Sequence, residues 1–174
     1  INSTHIDNRV AEVKSIQNKL NNIETSFVEV IFNNQFGNSN AWLPKFIASS
    51  KGNGFTPIEN KVQFLKYNLK NKPIEMKQEN GMTISYIYAY HHTLPVVKLE
   101  NIAYDQIPSN LIAAIQQATD ATNYNEQNVV NALNALRTST DANMQKAMIT
   151  TYVYKPLVGV TKITDPKGDT QTFL

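Results

Sequence analysis

Up to Leu99, the chain alternates short apolar segments with polar turns, a pattern typical of antiparallel β-strands. The predicted strands are Val10 to Gln17, Ile23 to Phe32, Trp42 to Ser49, Lys61 to Tyr67, Pro73 to Gln78, Met82 to Tyr90 and Val96 to Leu99. The first hairpin is expected to close through Asn18 to Asn22, and Asn80-Gly81 is the strongest hairpin signal. Because the turns recur about every ten residues, the pattern favours a β-meander.

Within residues 103–147, the apolar residues recur at the spacing of a helix rather than that of a strand. Two helices are predicted, Pro108 to Thr119 and Asn125 to Thr138, from the apolar positions Ile107, Leu111, Ile112, Ile115, Val129, Leu133 and Leu136. The connection between them is short, so the pair should form a helical hairpin. Asp141 suits the N-cap of a third short helical turn that ends near Lys146.

Strand character returns at the end of the chain. The predicted strands are Met148 to Tyr154, Val158 to Thr164 and Thr170 to Leu174, with a turn over Asp165 to Asp169 before the last of them. We therefore predict an α+β fold, mainly antiparallel β, in which residues 1–174 form one β-rich domain or fragment and 103–147 a helical insertion. Since the sequence opens on Ile1 and stops within a predicted strand, we expect a piece of a longer polypeptide.

Composition narrows the classes of function. The 174 residues are 41% hydrophobic, enough for one core, and only 17% are charged, against roughly 25% in soluble proteins. A net charge of +2 without a cluster of Lys or Arg does not indicate a nucleic-acid partner. The absence of cysteine excludes disulfides and thiolate chemistry. No apolar run approaches the roughly 18–20 residues of a transmembrane segment.

The tyrosines are the candidate binding residues. Tyr86, Tyr88 and Tyr90 should share one face of one predicted strand. Such a face can form an aromatic platform that stacks on sugar rings or on an apolar partner surface. It can equally be a core face, and we favour this second interpretation because the opposite side (Thr83, Ser85 and Ala89) looks suited to solvent. Trp42 is also expected to be substantially buried.

The remaining polar residues do not form a pattern typical of a metal site or a catalytic site. The adjacent pair His91-His92 would face opposite sides of a strand and cannot chelate one ion, and His5 lies near the terminus. No Gly-x-Ser-x-Gly elbow is present. The carboxylates expected in or beside turns, where they cap and solvate, are Glu75, Glu79, Glu100, Asp105, Asp165 and Asp169. We therefore predict no catalytic residues, no metal and no cofactor.

The helical insertion is a second candidate for contact with a partner, because inserted segments often carry the specific function of a scaffold. Its apolar stripes should dock on the sheet. Its predicted outer side is rich in amides, which are Gln116, Gln117, Asn125, Gln127 and Asn131.

Three turns recur in similar form, Lys51-Gly52-Asn53, Lys70-Asn71-Lys72 and Asp165-Pro166-Lys167-Gly168-Asp169. Tyr67 to Glu75 resembles a decayed YD repeat, whose usual form is Tyr-Asp-x-x-Gly-Asn; Asn68, Asn71 and Lys72 replace its Asp, Gly and Asn. Ile163 to Thr170 is closer, because it keeps the Asp and the Gly. The segments Ser85 to Tyr90, Pro95 to Asn101 and Thr151 to Gly159 are similar to the stretch that precedes the core of bacterial RHS-repeat surface proteins.

The resemblance covers roughly residues 45–174, with the helices as an insert. It implies a non-enzymatic scaffold segment of a large bacterial protein that is secreted or lies on the cell surface. The expected partner is the remainder of the parent polypeptide. The alternative is a module that binds a carbohydrate or a protein through the tyrosine-rich strand or the helical insert.

Overall fold

The computed structural model describes residues 13–36, 41–51, 58–155 and 157–173. These residues contain ten strands: β1 (Ser15–Leu20), β2 (Ile23–Asn33), β3 (Leu43–Lys51), β4 (Glu59–Tyr67), β5 (Pro73–Gln78), β6 (Thr83–Ala89), β7 (Leu94–Glu100), β8 (Met148–Lys155), β9 (Gly159–Thr164) and β10 (Thr170–Thr172). Two helices, α1 (Ser109–Asp120) and α2 (Glu126–Arg137), lie between β7 and β8.

The strands form one open sheet in which spatial order equals sequence order, from β1 at one edge to β10 at the other. Every neighbouring pair is antiparallel. The predicted fold class, mainly antiparallel β with an inserted helical hairpin, is confirmed. A meander of this kind needs only short connections, and its one long connection carries the helices.

The helices begin and end close to where the hydrophobic period predicts. Asn125 caps α2, because its side-chain oxygen accepts a hydrogen bond from the backbone N–H of Gln127 at 2.8 Å. After α2, Asp141 Oδ1 accepts the N–H groups of Asn143 and Met144, which starts the predicted third turn as a short 3-10 helix over Met144–Lys146. Another 3-10 turn over Tyr104–Gln106 precedes α1.

The hydrophobic core lies between the helices and the middle of the sheet. α1 packs over β6 and α2 over β8. The sheet contributes the buried side chains Ile87, Ala89, Val96, Val97, Leu99, Ile149 and Val153, and the helices contribute Ile115, Val129, Leu133 and Leu136. Burial falls away from this centre, since all six residues of β1 and all three of β10 are exposed.

Two turns that resemble each other in sequence have the same hydrogen bonds. In the turn between β4 and β5, Asn68 N–H donates to Lys72 O at 2.9 Å, and Asn68 Oδ1 accepts the N–H groups of Lys70 and Lys72. In the turn between β9 and β10, Asp165 N–H donates to Asp169 O at 3.0 Å. Asp165 Oδ1 accepts the N–H groups at 167, 168 and 169, each at 2.9 Å.

The fourth residue of each turn adopts a left-handed backbone, with φ of 58° at Asn71 and 100° at Gly168. Asn and Gly tolerate this region, which explains why they stand there. The similar sequence therefore encodes one turn structure used twice. The third predicted copy, Lys51-Gly52-Asn53, lies outside the described residues after Lys51.

One local prediction is corrected. The first hairpin has no five-residue loop: β1 continues to Leu20, and Asn21-Asn22 close a two-residue turn with φ of 49° and 67°. Two Asn side chains that tolerate positive φ suit this tight hairpin. Trp42 immediately precedes β3 and is partly buried, and its neighbour Leu43 at the start of β3 is buried.

The core should carry most of the stability. Leu136 is fully buried, so Leu136→Ala should lower the free energy of unfolding by about 2–5 kcal/mol. Leu69→Ala is the matched control, because Leu69 is 78% exposed, and it should change stability by no more than about 0.5 kcal/mol. Urea denaturation followed by circular dichroism measures both, and equal losses for the two variants would contradict this position of the core.

Candidate binding surface

Tyr86 and Tyr88 lie on the face of the sheet that carries no helix, here called the open face. They alternate along β6 with Ser85, Ile87 and Ala89, which point towards the helices. The two rings lie 6.4 Å apart between centroids with an interplanar angle of 51°. Both side chains are half-buried, and their hydroxyls make no hydrogen bond within the described part of the chain.

The prediction of a core face is wrong for Tyr86 and Tyr88. The opposite face, expected to meet solvent, is the buried one, because Ser85 and Ala89 are both 0% exposed. The hydroxyl of Ser85 donates to the carbonyl of Ile102 at 2.8 Å, so a polar residue is satisfied there. Small side chains at these two positions allow α1 to pack close to β6.

Tyr90 does not share the open face with the other two tyrosines. It leaves the strand with φ of 50° and turns towards the helical side. Its hydroxyl donates to Tyr154 O at 3.0 Å, and the hydroxyl of Tyr124 donates to the same carbonyl at 2.9 Å. The rings of Tyr90 and Tyr154 meet edge to face at 5.8 Å. Tyr90 therefore ties the connection between the helices to the sheet.

The turn after β6 holds three successive residues in a left-handed backbone, Tyr90, His91 and His92, with φ of 50°, 57° and 62°. Such a backbone is costly for residues with a Cβ. The end of α1 stabilises it: Thr119 Oγ1 accepts the N–H of Tyr90 at 3.3 Å, and Asp120 Oδ1 accepts the N–H of His91 at 2.9 Å. The histidines thus lie in a turn, not in the strand that the sequence predicts.

The histidine side chains have different surroundings. His91 is 82% exposed, with Nδ1 at 3.8 Å from Asp120 Oδ2, whereas His92 Nδ1 lies 3.2 Å from Gln116 Nε2. His5 lies outside the described residues. Among the residues that the structure describes, no group of three or more potential metal ligands is found.

Charges on the open face form a pair beside Tyr86. Lys98, directly opposite Tyr86 in the register, donates to Glu100 at 2.6 Å, and this hydrogen bond raises the pKa of Lys98. Burial raises the pKa of the Tyr86 phenol, and Glu100 and Tyr152 raise it further while Lys98 opposes them. The open face therefore combines partly buried aromatic rings with one ion pair, an arrangement suited to stacking and hydrogen bonding.

Glu75 does not lie in or beside a turn, where the sequence predicts it. It lies within β5, 6% exposed, and not in a turn. Its carboxylate accepts the N–H of Tyr104 at 2.9 Å and pairs with Lys66 at 3.0 Å; Lys66 in turn pairs with Asp105 at 2.6 Å. This network fastens the start of the insertion to the sheet. Lys66 and Glu75 are opposite in register, and this relation follows only from the pairing of β4 with β5.

The predicted amide-rich outer side of the helices is only partly external. Gln116 turns inward, where its side chain donates to Tyr88 O at 3.0 Å. Asn125 is the α2 cap, and Gln127 donates to Asn131 at 2.9 Å along the helix surface. Gln117, Gln127 and Asn131 are exposed and remain available for contact.

Within the described residues, neither helix has the length and apolar character needed to cross a bilayer. Comparison with protein-family models, with curated proteins and with solved structures finds no match to this chain.

The phenol of Tyr90 should make stability depend on alkaline pH. Burial, and then the hydrogen bond with Tyr124, raise the pKa of Tyr90 above the ordinary value of about 10. The unfolded chain therefore releases this proton first, so the contribution of Tyr90 is complete below pH ~10 and is lost as pH rises towards its folded pKa.

Tyr90→Phe removes both the ionisation and a hydrogen bond, so at pH ~8 it should be about 1 kcal/mol less stable than the original chain. The difference should narrow as pH rises from ~9 to ~11. Urea denaturation across this range measures it, and a difference that stays constant would contradict the assigned cause.

Proposed function

We propose that this chain is a non-enzymatic scaffold segment of a large bacterial surface or secreted protein of the YD-repeat (RHS-repeat) kind. The observation that carries the proposal is the repeated turn: two segments that resemble YD repeats, Asn68–Lys72 and 165–169, form the same hydrogen-bonded loop. In both, the first side chain closes the loop and the fourth residue is left-handed. A recurring strand–turn–strand unit is the building principle of repeat proteins.

Two further features support a scaffold. The strands follow one another across the sheet without a crossover, so another strand–turn–strand unit adds by the same hydrogen bonds. Towards the β1 edge, large apolar side chains are exposed, as with Ile16 at 54%, Leu20 at 67% and Ile23 at 58%. Units of an array need their neighbours to bury such side chains. A location on the cell surface is part of the same proposal and rests on the family resemblance.

Exchange of the turns tests the repeat interpretation. The substitutions Leu69→Pro, Asn71→Gly and Lys72→Asp convert the β4–β5 turn to the sequence of the β9–β10 turn, since Lys70 already matches Lys167. Asn68 is kept because its amide also donates to His92 O at 3.2 Å. The triple variant should remain folded, with a stability within about 1 kcal/mol of the original, because each residue suits the same turn position.

The control is Asn71→Val, which places a β-branched side chain in a left-handed backbone and should cost at least about 1–2 kcal/mol. Thermal and urea unfolding measure both variants. A triple variant that loses as much as the control would contradict the equivalence of the two turns.

The surface location has its own test. Brief protease treatment of intact bacteria that produce the parent protein should release peptides of this chain, because a scaffold on the outer surface is accessible. Cells that are lysed first provide the control. Peptides that appear only after lysis would contradict the surface location.

A recognition module is the second candidate, favoured by the partly exposed Tyr86 and Tyr88, whose hydroxyls have no partner in the described part of the chain. A glycan array probed with the folded chain tests it. Binding that Tyr88→Ala abolishes without unfolding the chain would support recognition through the open face. Binding that this variant leaves unchanged would exclude that role for Tyr88.

A further inference from the structure

A groove lies between α2 and the strands β8 to β10, on the face of the sheet that carries the helices. Its volume is about 210 Å³. Val130 and Leu133 of α2 form its apolar wall together with Val153 of β8, while β9 and β10 extend past the helix and leave one side open. The groove lies on the opposite side of the sheet from Tyr86 and Tyr88.

Three threonines cross the floor of this groove in direct register. Thr151 of β8 pairs with Thr164 of β9, which pairs with Thr170 of β10. The hydroxyls of Thr164 and Thr170 are 2.9 Å apart and share a hydrogen bond. Neighbouring strands are about 4.8 Å apart, so the row places three threonines side by side across the groove.

Thr151 is the least exposed residue of this row. It is only 4% exposed and lines the groove beside Leu133 and Val153. No hydrogen bond of its hydroxyl occurs within the part of the chain that the structure describes. The hydroxyl still reaches solvent through the groove, since Ser50 Oγ is the one fully buried side-chain oxygen or nitrogen without a partner among the described residues. The hydroxyl is thus available to a ligand.

The groove also carries a cation with spare donors. Arg137 donates from Nη1 to Ile149 O at 2.6 Å and from Nη2 to Asp165 O at 2.7 Å, which holds the guanidinium in place. A guanidinium has five N–H groups, so three remain, and Arg137 makes no ion pair with any described carboxylate. Lys162, also in the lining, is neutralised by Glu126 at 2.6 Å.

We propose that this groove binds a small polyol that carries one carboxylate, of the size and chemistry of a uronic acid residue. The carboxylate would meet the spare donors of Arg137, which favour a planar anion. Ring hydroxyls would exchange hydrogen bonds with the threonine row, since each hydroxyl both donates and accepts. The apolar ring face would rest on Leu133 and Val153. The volume, smaller than that of most drug-sized pockets, limits the ligand to about one sugar ring.

Titration of the folded chain with sodium glucuronate, followed by two-dimensional amide NMR, tests the proposal. Saturable shifts should be confined to α2 and β8–β10, with a Kd of about 1 mM for a ligand of this number of atoms. Glucose lacks the carboxylate and should bind about tenfold more weakly or worse. Sodium acetate lacks the hydroxyls and should not reproduce the shifts on Thr151 and Thr164.

Thr151→Val removes the hydroxyl while it preserves the shape of the side chain. It should weaken glucuronate binding about 3- to 10-fold, and the chain should remain folded, because the hydroxyl has no hydrogen bond within the described part of the chain to lose. Tyr88→Ala on the open face is the matched control and should leave the Kd unchanged. Absence of saturable shifts, equal shifts with acetate or glucose, or an unchanged Kd in Thr151→Val would each overturn the proposal.

Discussion

The burial of one apolar stripe on the helical hairpin against β6 to β8 is the interaction on which the remaining structure depends. Ile115 of α1 and Leu133 and Leu136 of α2 are almost fully removed from water, as are Ile87 and Leu99 beneath them. A sheet of one layer cannot bury both of its faces, so its strands need a second layer or a neighbour. Here the insertion supplies the second layer for the central strands only.

The rest of the sheet is attached laterally. From β5 towards β1 and from β8 towards β10, each strand gains backbone hydrogen bonds from its neighbour, and the edge strands β1 and β10 are exposed although β3 still buries Leu43 and Ala48. The edge strands therefore depend on pairing with their neighbours more than on contact with the helices. The central strands are thus covered by the helices, whereas the outer strands are not. The groove beside α2 lies where this helical layer ends.

The sequence predicts the positions of the helices and strands well, but it predicts poorly which face of a strand is buried. The helices follow from the spacing of Ile115, Val129 and Leu133, because a stripe at a period of 3.6 has one buried side. In β6, a period of two separates Tyr86 and Tyr88 from Ser85 but does not say which face is covered. That choice depends on where the helices return to the sheet, which local pattern does not contain.

The same limit applies to individual side chains. Tyr90 was expected beside Tyr88, but the chain enters a left-handed turn that the distant residues Thr119 and Asp120 stabilise. Glu75 becomes a buried partner of Lys66 only once β4 and β5 are paired in register. The turn around Asp165 is the opposite case, since Asp and Gly at fixed spacing define it locally.

Native-state hydrogen exchange tests the central claim most directly, because it measures opening residue by residue. Amides of β6, β7 and β8 beneath the helices should exchange slowest, and protection should fall in strand order towards β1 and towards β10. Amides of α1 and α2 should be protected together with the central strands. Equal protection across all ten strands, or the greatest protection in β1 or β10, would contradict a fold that depends on the helical hairpin.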